Sequence, residues 1–372
     1  MRLPRVLRLL LINAALVCAA WMALVLITAA AGDVVNLGRR IIPRPDARAE
    51  LPNYPDKKAS RALFADLGRT VEDYVPFVEW RRLPLRTDNV TIDERGNRTH
   101  RRGTENNAED ARTLGFFGGS TMWGQGASDD ETIAAFFDQK TTEFVVTNYG
   151  EGGHTCRQQL DQLLSLISTG EMPQVVVFYG GFNHVWTHCN YGVTRSLNGH
   201  MVENKLRRAL TESPALGFLY TDVVRPPVDF FRRLIGEKKF VRDQFCCHDE
   251  PARASQVADS LLSIWQMARD VVTARGGALF VFLQPVAYLG SPRLDHLKLD
   301  RVLGAEQFRT VYPLLQARIR ERGLDYVHDL TNAFDGQQYI YIDDAHVSPN
   351  GNAVIADRIV ETIRSSSSLA RR

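Results

Sequence analysis

Ser120 stands at the end of an apolar run, in LGFFGGSTMWGQG, where two glycines precede the hydroxyl. A serine becomes a nucleophile when a base sits beside it, and an imidazole serves best when a carboxylate holds its second nitrogen. Near the C-terminus the stretch DDAHVSPNG offers both, with Asp343 three residues before His346. Two more stretches, NYGEGG and YGGFN, supply Gly153 and Asn183. Attack on an ester creates an oxyanion that needs hydrogen-bond donors. The backbone N–H groups of Ser120 and Gly153, with the side-chain amide of Asn183, provide three. Glycine at 153 suits a place where the backbone itself must approach a substrate. Singly, each stretch is ordinary turn or loop material. Together they contain every part that acyl transfer requires.

Such residues need a frame. From residue 113, short apolar runs (TLGFFG, EFVVTNYG, QVVVFYGG, GALFVFLQP and LDYVHDL) alternate with longer segments of helical spacing, such as DDETIAAFFDQ and RQQLDQLLSLI. This alternation predicts a parallel sheet covered by helices on both faces. Ligand sites in open sheets of that kind gather at the carboxyl ends of the strands, where these four stretches fall. The spacing is stretched once, between GGFNHVW and GALFVF. Within that gap residues 228–245, VDFFRRLIGEKKFVRDQF, read as a solvated face with a few core aromatics or as a lid or membrane-surface segment.

FFGGST, NYGEGG, GGFN and DDAH followed by SPNG resemble, in order, the sequence blocks of the SGNH (GDSL-type) hydrolases. The resemblance covers residues 110–368 and implies a three-layer, flavodoxin-like α/β domain with strand order 2-1-3-4-5. It implies Ser120 as nucleophile, His346 as base and Asp343 as the acid behind it, with an oxyanion hole from Ser120, Gly153 and Asn183. Two positions depart from the family pattern. Gly119 replaces the usual Asp before the serine, and His184 replaces the usual Asp after the third-block asparagine. Neither position performs the chemistry in that family. The chemistry needs no cofactor.

The expected activity is that of an esterase or acyltransferase, the two differing only in whether water or a hydroxyl attacks the acyl-enzyme. By analogy with anchored GGST-type members, the expected substrate is an acyl ester, acetyl above all, on a surface polysaccharide. Trp123, Phe182, His184 and Trp186 are candidate substrate contacts, and core packing explains the aromatic ones equally well. A lipase or thioesterase is the second enzymatic reading, disfavoured by the polar neighbours Gln125, Glu151, His154 and Arg157. A non-catalytic glycan-binding or assembly factor on the same scaffold is the third.

The N-terminus bears on compartment. Residues 1–8 carry Arg2, Arg5 and Arg8, and residues 9–32 contain no charge. About 20 apolar residues cross a bilayer as a helix. Arginines on the near side predict a cytoplasmic N-terminus, hence a single-pass protein with its catalytic domain outside the cytoplasm, in the periplasm of a bacterium. A signal peptide cleaved near TAAAG is the alternative, although its apolar region is normally shorter. Residues 33–110 read as a linker and lead-in, rich in Pro and charge up to residue 60 and with a hairpin turning at ERGN. Residues 111–368 then form the hydrolase-like domain.

With Cys18 inside the apolar run, four cysteines remain outside it, and a disulfide from Cys189 to Cys246 or Cys247 is expected. No CxxC or HExxH spacing suggests a metal. The sequons at Asn89 and Asn97 carry meaning only in a eukaryote. A net charge of +2 with 24% charged residues gives no case for nucleic acid as a partner.

Overall fold

The computed structural model describes residues 46–100, 110–191, 247–299, 304–336 and 338–366, together with parts of 4–23. Contacts divide the chain into two units. One comprises Met1–Arg44 and Asn198–Gln244. Within it, residues 11–17 and 19–23 are helical and exposed. Among the described residues no helix is long and apolar enough to cross a membrane. The rest of the expected span, residues 24–32, lies outside the described residues, as do residues 228–245 and Cys246.

The other unit comprises Pro45–Leu197 and Phe245–Arg372. It opens with α1 (Lys57–Leu67) and two short hairpins, β1 (Glu72–Val75) with β2 (Glu79–Arg82) and β3 (Leu85–Arg86) with β4 (Thr91–Ile92). Asp56 caps α1 by accepting from the N–H groups of Lys58 (2.9 Å) and Ala59 (3.0 Å), which otherwise lack partners in a first turn. Ser60, Leu63, Phe64 and Leu67 recur at helical spacing and form its buried face. Leu63, Phe64 and Leu67 pack with Tyr54, Trp123 and Ile342 in one apolar cluster. Residues 46–67, within the stretch expected as linker and lead-in, are therefore folded against the loops that follow Ser120 and precede Asp343. The turn at ERGN forms, with Gly96 at φ 78°, but it closes only a single antiparallel bridge between Ile92 and Arg98.

Five parallel strands follow: β5 (Arg112–Gly118), β6 (Phe144–Asn148), β7 (Val175–Gly180), β8 (Ala278–Leu283) and β9 (Val327–Asp329). Their spatial order is β6-β5-β7-β8-β9, so the first strand of the sheet lies second and the order is the expected 2-1-3-4-5. The central strands are buried on both faces, which is why they read as continuous apolar runs rather than alternating ones. Along β7, Val176 and Phe178 point into one core while Val175, Val177 and Tyr179 point into the other. The first core is closed by α4 (Cys156–Ser168), α5 (Phe182–Tyr191), α6 (Pro251–Ala274) and α7 (Gly304–Glu321). The second is closed by α2 (Ser120–Trp123), α3 (Ile133–Lys140) and α8 (Pro349–Ser365). Cys189 on α5 is bonded to Cys247 just before α6, with Cα atoms 5.2 Å apart, while Cys156 is free and buried.

Candidate active site

Strand β5 stops because Gly118 and Gly119 lead straight into the four-residue helix α2, which begins at Ser120 and ends at the left-handed Gly124 (φ 103°). This sharp turn lifts the Ser120 side chain clear of the sheet. Its Oγ–H donates to Nε2 of His346 at 2.6 Å. On the other side of the ring, Nδ1–H donates to Oδ2 of Asp343 at 2.7 Å. That bond fixes the tautomer, leaving the Nε2 lone pair for the serine proton. The structure thus brings Asp343 and His346 together with Ser120, which lies 226 residues before His346 in sequence.

The loop holding the acid and base is built locally. Oδ1 of Asp343 accepts from the N–H groups of Ala345 (3.0 Å) and His346 (2.7 Å), an Asx turn that points its second oxygen at the ring. A bridge between Tyr341 and Val347 closes the loop, and Ser348 with Pro349 starts α8 behind it. Burial pushes the Asp343 carboxyl up, but the His346 charge and these hydrogen bonds outweigh it and hold the group well below the usual carboxylate range. Asp344, its neighbour, is shifted the other way, upward, by burial and by repulsion from Asp343. Between the two acids of the motif, the structure pairs Asp343 with the histidine.

The donors expected for an oxyanion also converge. Gly153 adopts φ 72°, a left-handed conformation that favours glycine, at the end of the loop after β6. Asn183 on α5 spends one amide hydrogen on the His154 carbonyl (2.9 Å), and the other has no acceptor among the described residues. Its amide nitrogen abuts Gly119 so closely that a Cβ at position 119 would overlap it. A side chain at position 119 would therefore displace the Asn183 amide. Backbone hydrogen bonding leaves the N–H groups of Ser120 and Gly153 without an acceptor among the described residues. Asn183→Ala is expected to lower kcat on the order of 100-fold with KM little changed, as for loss of one oxyanion donor. Gly119→Ala should move kcat in the same direction by displacing that amide. An unchanged kcat in both variants would remove Asn183 from the site.

Several neighbours are not where sequence proximity suggested. Trp123 is fully buried, its ring held between the guanidinium groups of Arg82 (4.0 Å) and Arg98 (4.4 Å), and faces no substrate. His184 is also fully buried, its ring centroid 4.2 Å from that of His188 in the apolar cluster on the α6 side, where burial keeps it neutral. Glu151 and His154, taken as polar site neighbours, are buried as well. Glu151 pairs with Arg82, and Nε2–H of His154 donates to the Trp80 carbonyl at 3.2 Å. Burial, with Arg81 nearby, lowers the His154 imidazole to about 3, so it stays uncharged. These groups hold the loop after β6 in place. Phe182 is half-buried, its ring stacked on the core ring of Phe308 at 4.8 Å and lying parallel to Trp186 at 6.5 Å, so of the four candidates only Trp186 on α5 has an exposed ring.

Other supports had no visible signal in sequence. Asn148 donates to Met122 O (3.0 Å) and accepts from Gly150 N–H (2.9 Å), tying the loop after β6 to the turn at Ser120. Trp80 donates to Gly152 O at 2.9 Å. Thr121 accepts from the Gln284 amide at 3.0 Å, fastening α2 to the end of β8. No cluster of potential metal ligands occurs among the described residues.

No family model matches the chain, and no curated protein does. Among solved structures it is similar to a lipolytic protein of the G-D-S-L family from Veillonella parvula DSM 2008, at 13% identity and a TM-score of 0.39, covering 69% of this chain and 100% of that one. An acetyl xylan esterase matches at 13% identity and a TM-score of 0.39, over 68% of this chain and 99% of its own. A carbohydrate acetylesterase family member from Sinorhizobium meliloti matches at 14% identity and a TM-score of 0.35, over 68% and 97%. Likenesses this distant decide nothing about activity. The case for it rests on the geometry around Ser120.

Proposed function

We propose that the chain is a serine esterase of the SGNH type, which removes or transfers acyl groups, acetyl above all, on an extracytoplasmic carbohydrate. The observation that carries the reading is the unbroken chain Ser120 Oγ, His346, Asp343, with bonds of 2.6 and 2.7 Å, next to the N–H groups of Ser120 and Gly153, which have no acceptor among the described residues. Ser120 Oγ attacks the ester carbonyl as its proton passes to Nε2 of His346. The oxyanion forms against the N–H groups of Ser120 and Gly153 and the Asn183 amide. The imidazolium returns its proton to the leaving alkoxide, and the acyl-enzyme remains. Water then releases the acid, or a second hydroxyl takes the acyl group.

Trp186 supports a carbohydrate substrate, because its exposed ring on α5, the helix that also carries Asn183, can stack on the apolar face of a sugar. The extracytoplasmic setting is supported by the uncharged run at 9–32 and by the Cys189–Cys247 bond, since disulfides persist in oxidising compartments. A fluorophosphonate probe is expected to label Ser120 and no other serine, mapped by peptide mass spectrometry. Acetate release from an O-acetylated polysaccharide, against release from a triglyceride emulsion, separates the glycan reading from the lipase reading. Absence of label on the folded protein would sink the esterase assignment.

A further inference from the structure

Resting on the esterase reading, we infer that Arg48 is a positioning residue for the catalytic acid: it shares Asp343 with His346 and thereby sets the acid limit of activity. Nη1 of Arg48 donates to Oδ2 of Asp343 at 3.0 Å, the same oxygen that receives Nδ1–H of His346. With Oδ1 taken by two backbone N–H groups, the carboxylate is saturated, and a permanent cation competes with the imidazolium for its charge.

Arg48 is fixed for this purpose. It lies in a short 3-10 turn, Ala47–Glu50, capped by Asp46. The Asp46 carboxylate grips the guanidinium from behind, Nη2 to Oδ2 at 2.7 Å and Nε to Oδ1 at 3.1 Å, while the Phe64 ring lies 5.1 Å away on another side. The next residues strap this turn to the site from both ends. Asn53 donates to Tyr339 O at 2.7 Å, just before the acid–base loop, and Tyr54 O–H donates to Gly126 O at 2.7 Å, just after the nucleophile turn. Burial works against the Arg48 charge, but Asp46 and Asp343 outweigh it and leave the guanidinium more firmly protonated than usual.

The charged groups around the ring set the sign. Asp343 and Asp344 from its own loop favour the imidazolium, and Ser120 is neutral. Arg48, from the turn opposite, disfavours it, and Asp46 partly cancels Arg48. Removing the Arg48 charge stabilises the imidazolium, so the base is captured by protons at higher pH. Removing the Asp46 charge exposes Arg48 more fully and does the reverse.

The test measures kcat/KM against pH for p-nitrophenyl acetate with the full-length chain. Arg48→Met is expected to move the acid limb up by about one pH unit, the scale of a half-screened charge two hydrogen bonds away. Arg48→Lys should return most of that shift. Asp46→Asn should move the limb down by about half a unit. A merely structural role lowers activity without moving the limb in opposite directions. Shifts of the same sign in Arg48→Met and Asp46→Asn, or none in either, overturn the proposal. NMR titration of the His346 ring, assigned against His346→Gln, reads the same opposite shifts even if no ester is cleaved. Failure of the esterase reading is thereby distinguished from failure of this one.

Discussion

Ser120→Ala is expected to reduce ester turnover on the order of 10⁵-fold, and His346→Ala by a similar factor. The two side chains act through one 2.6 Å bond, so either loss removes the activated nucleophile. The double variant should therefore be no worse than either single one. What survives is whatever the oxyanion donors supply by themselves, because the N–H of residue 120, the N–H of Gly153 and the Asn183 amide do not depend on the triad side chains. Neither substitution should disturb the fold. Both side chains are partly exposed, and each is held by the site rather than by a core. Steady-state rates with p-nitrophenyl acetate and a thermal melt of each variant check this. Additive losses in the double variant would mean that serine and histidine act in separate steps. Full activity in Ser120→Ala would make the glycines around it a turn and nothing more.

How much of this was legible in the sequence follows from the range of the interactions. The five strands announce themselves because burial on both faces demands unbroken apolar runs, and the site stretches sit at their ends because glycine and polar residues must end such runs. The Asx turn at Asp343 and His346 is local, and so was readable. Side-chain direction was not. His184 follows Asn183 directly, but one residue is 100° around a helix, which turns His184 away from the site and into the core. Trp123 lies one helical turn beyond Ser120 and points down among the arginines of the lead-in segment. That segment is held by long-range partners. Arg48 meets Asp343 across 295 residues, and Arg82 meets Glu151 across 69. A stretch rich in proline and charge looks like a linker until its partners are known. The closeness of the Asn183 amide to Gly119 is another contact that no local pattern shows.

Asp343→Asn is expected to lower kcat on the order of 10⁴-fold while leaving KM close to its original value. An asparagine oxygen still accepts from the Ala345 and His346 N–H groups, so the loop keeps its shape. The amide nitrogen that replaces Oδ2 donates and cannot accept. It turns Nδ1 of His346 into the acceptor and moves the ring proton to Nε2, where no lone pair remains for Ser120. It also faces the N–H of Arg48, which loses an acceptor. The pH dependence distinguishes this account from simple misfolding. Asp343 is held well below the usual carboxylate range, so it is ionised throughout the working range and the acid limb belongs to the base. Without that negative charge the imidazolium is less favoured, and the limb of the residual activity should move to lower pH, the direction opposite to that expected for Arg48→Met. Asp344→Asn serves as the control. The structure gives Asp344 no bond to His346, so its loss should cost no more than a few-fold. A greater loss in Asp344→Asn than in Asp343→Asn would exchange the roles of the two acids and remove the basis for assigning Arg48 any effect on the base.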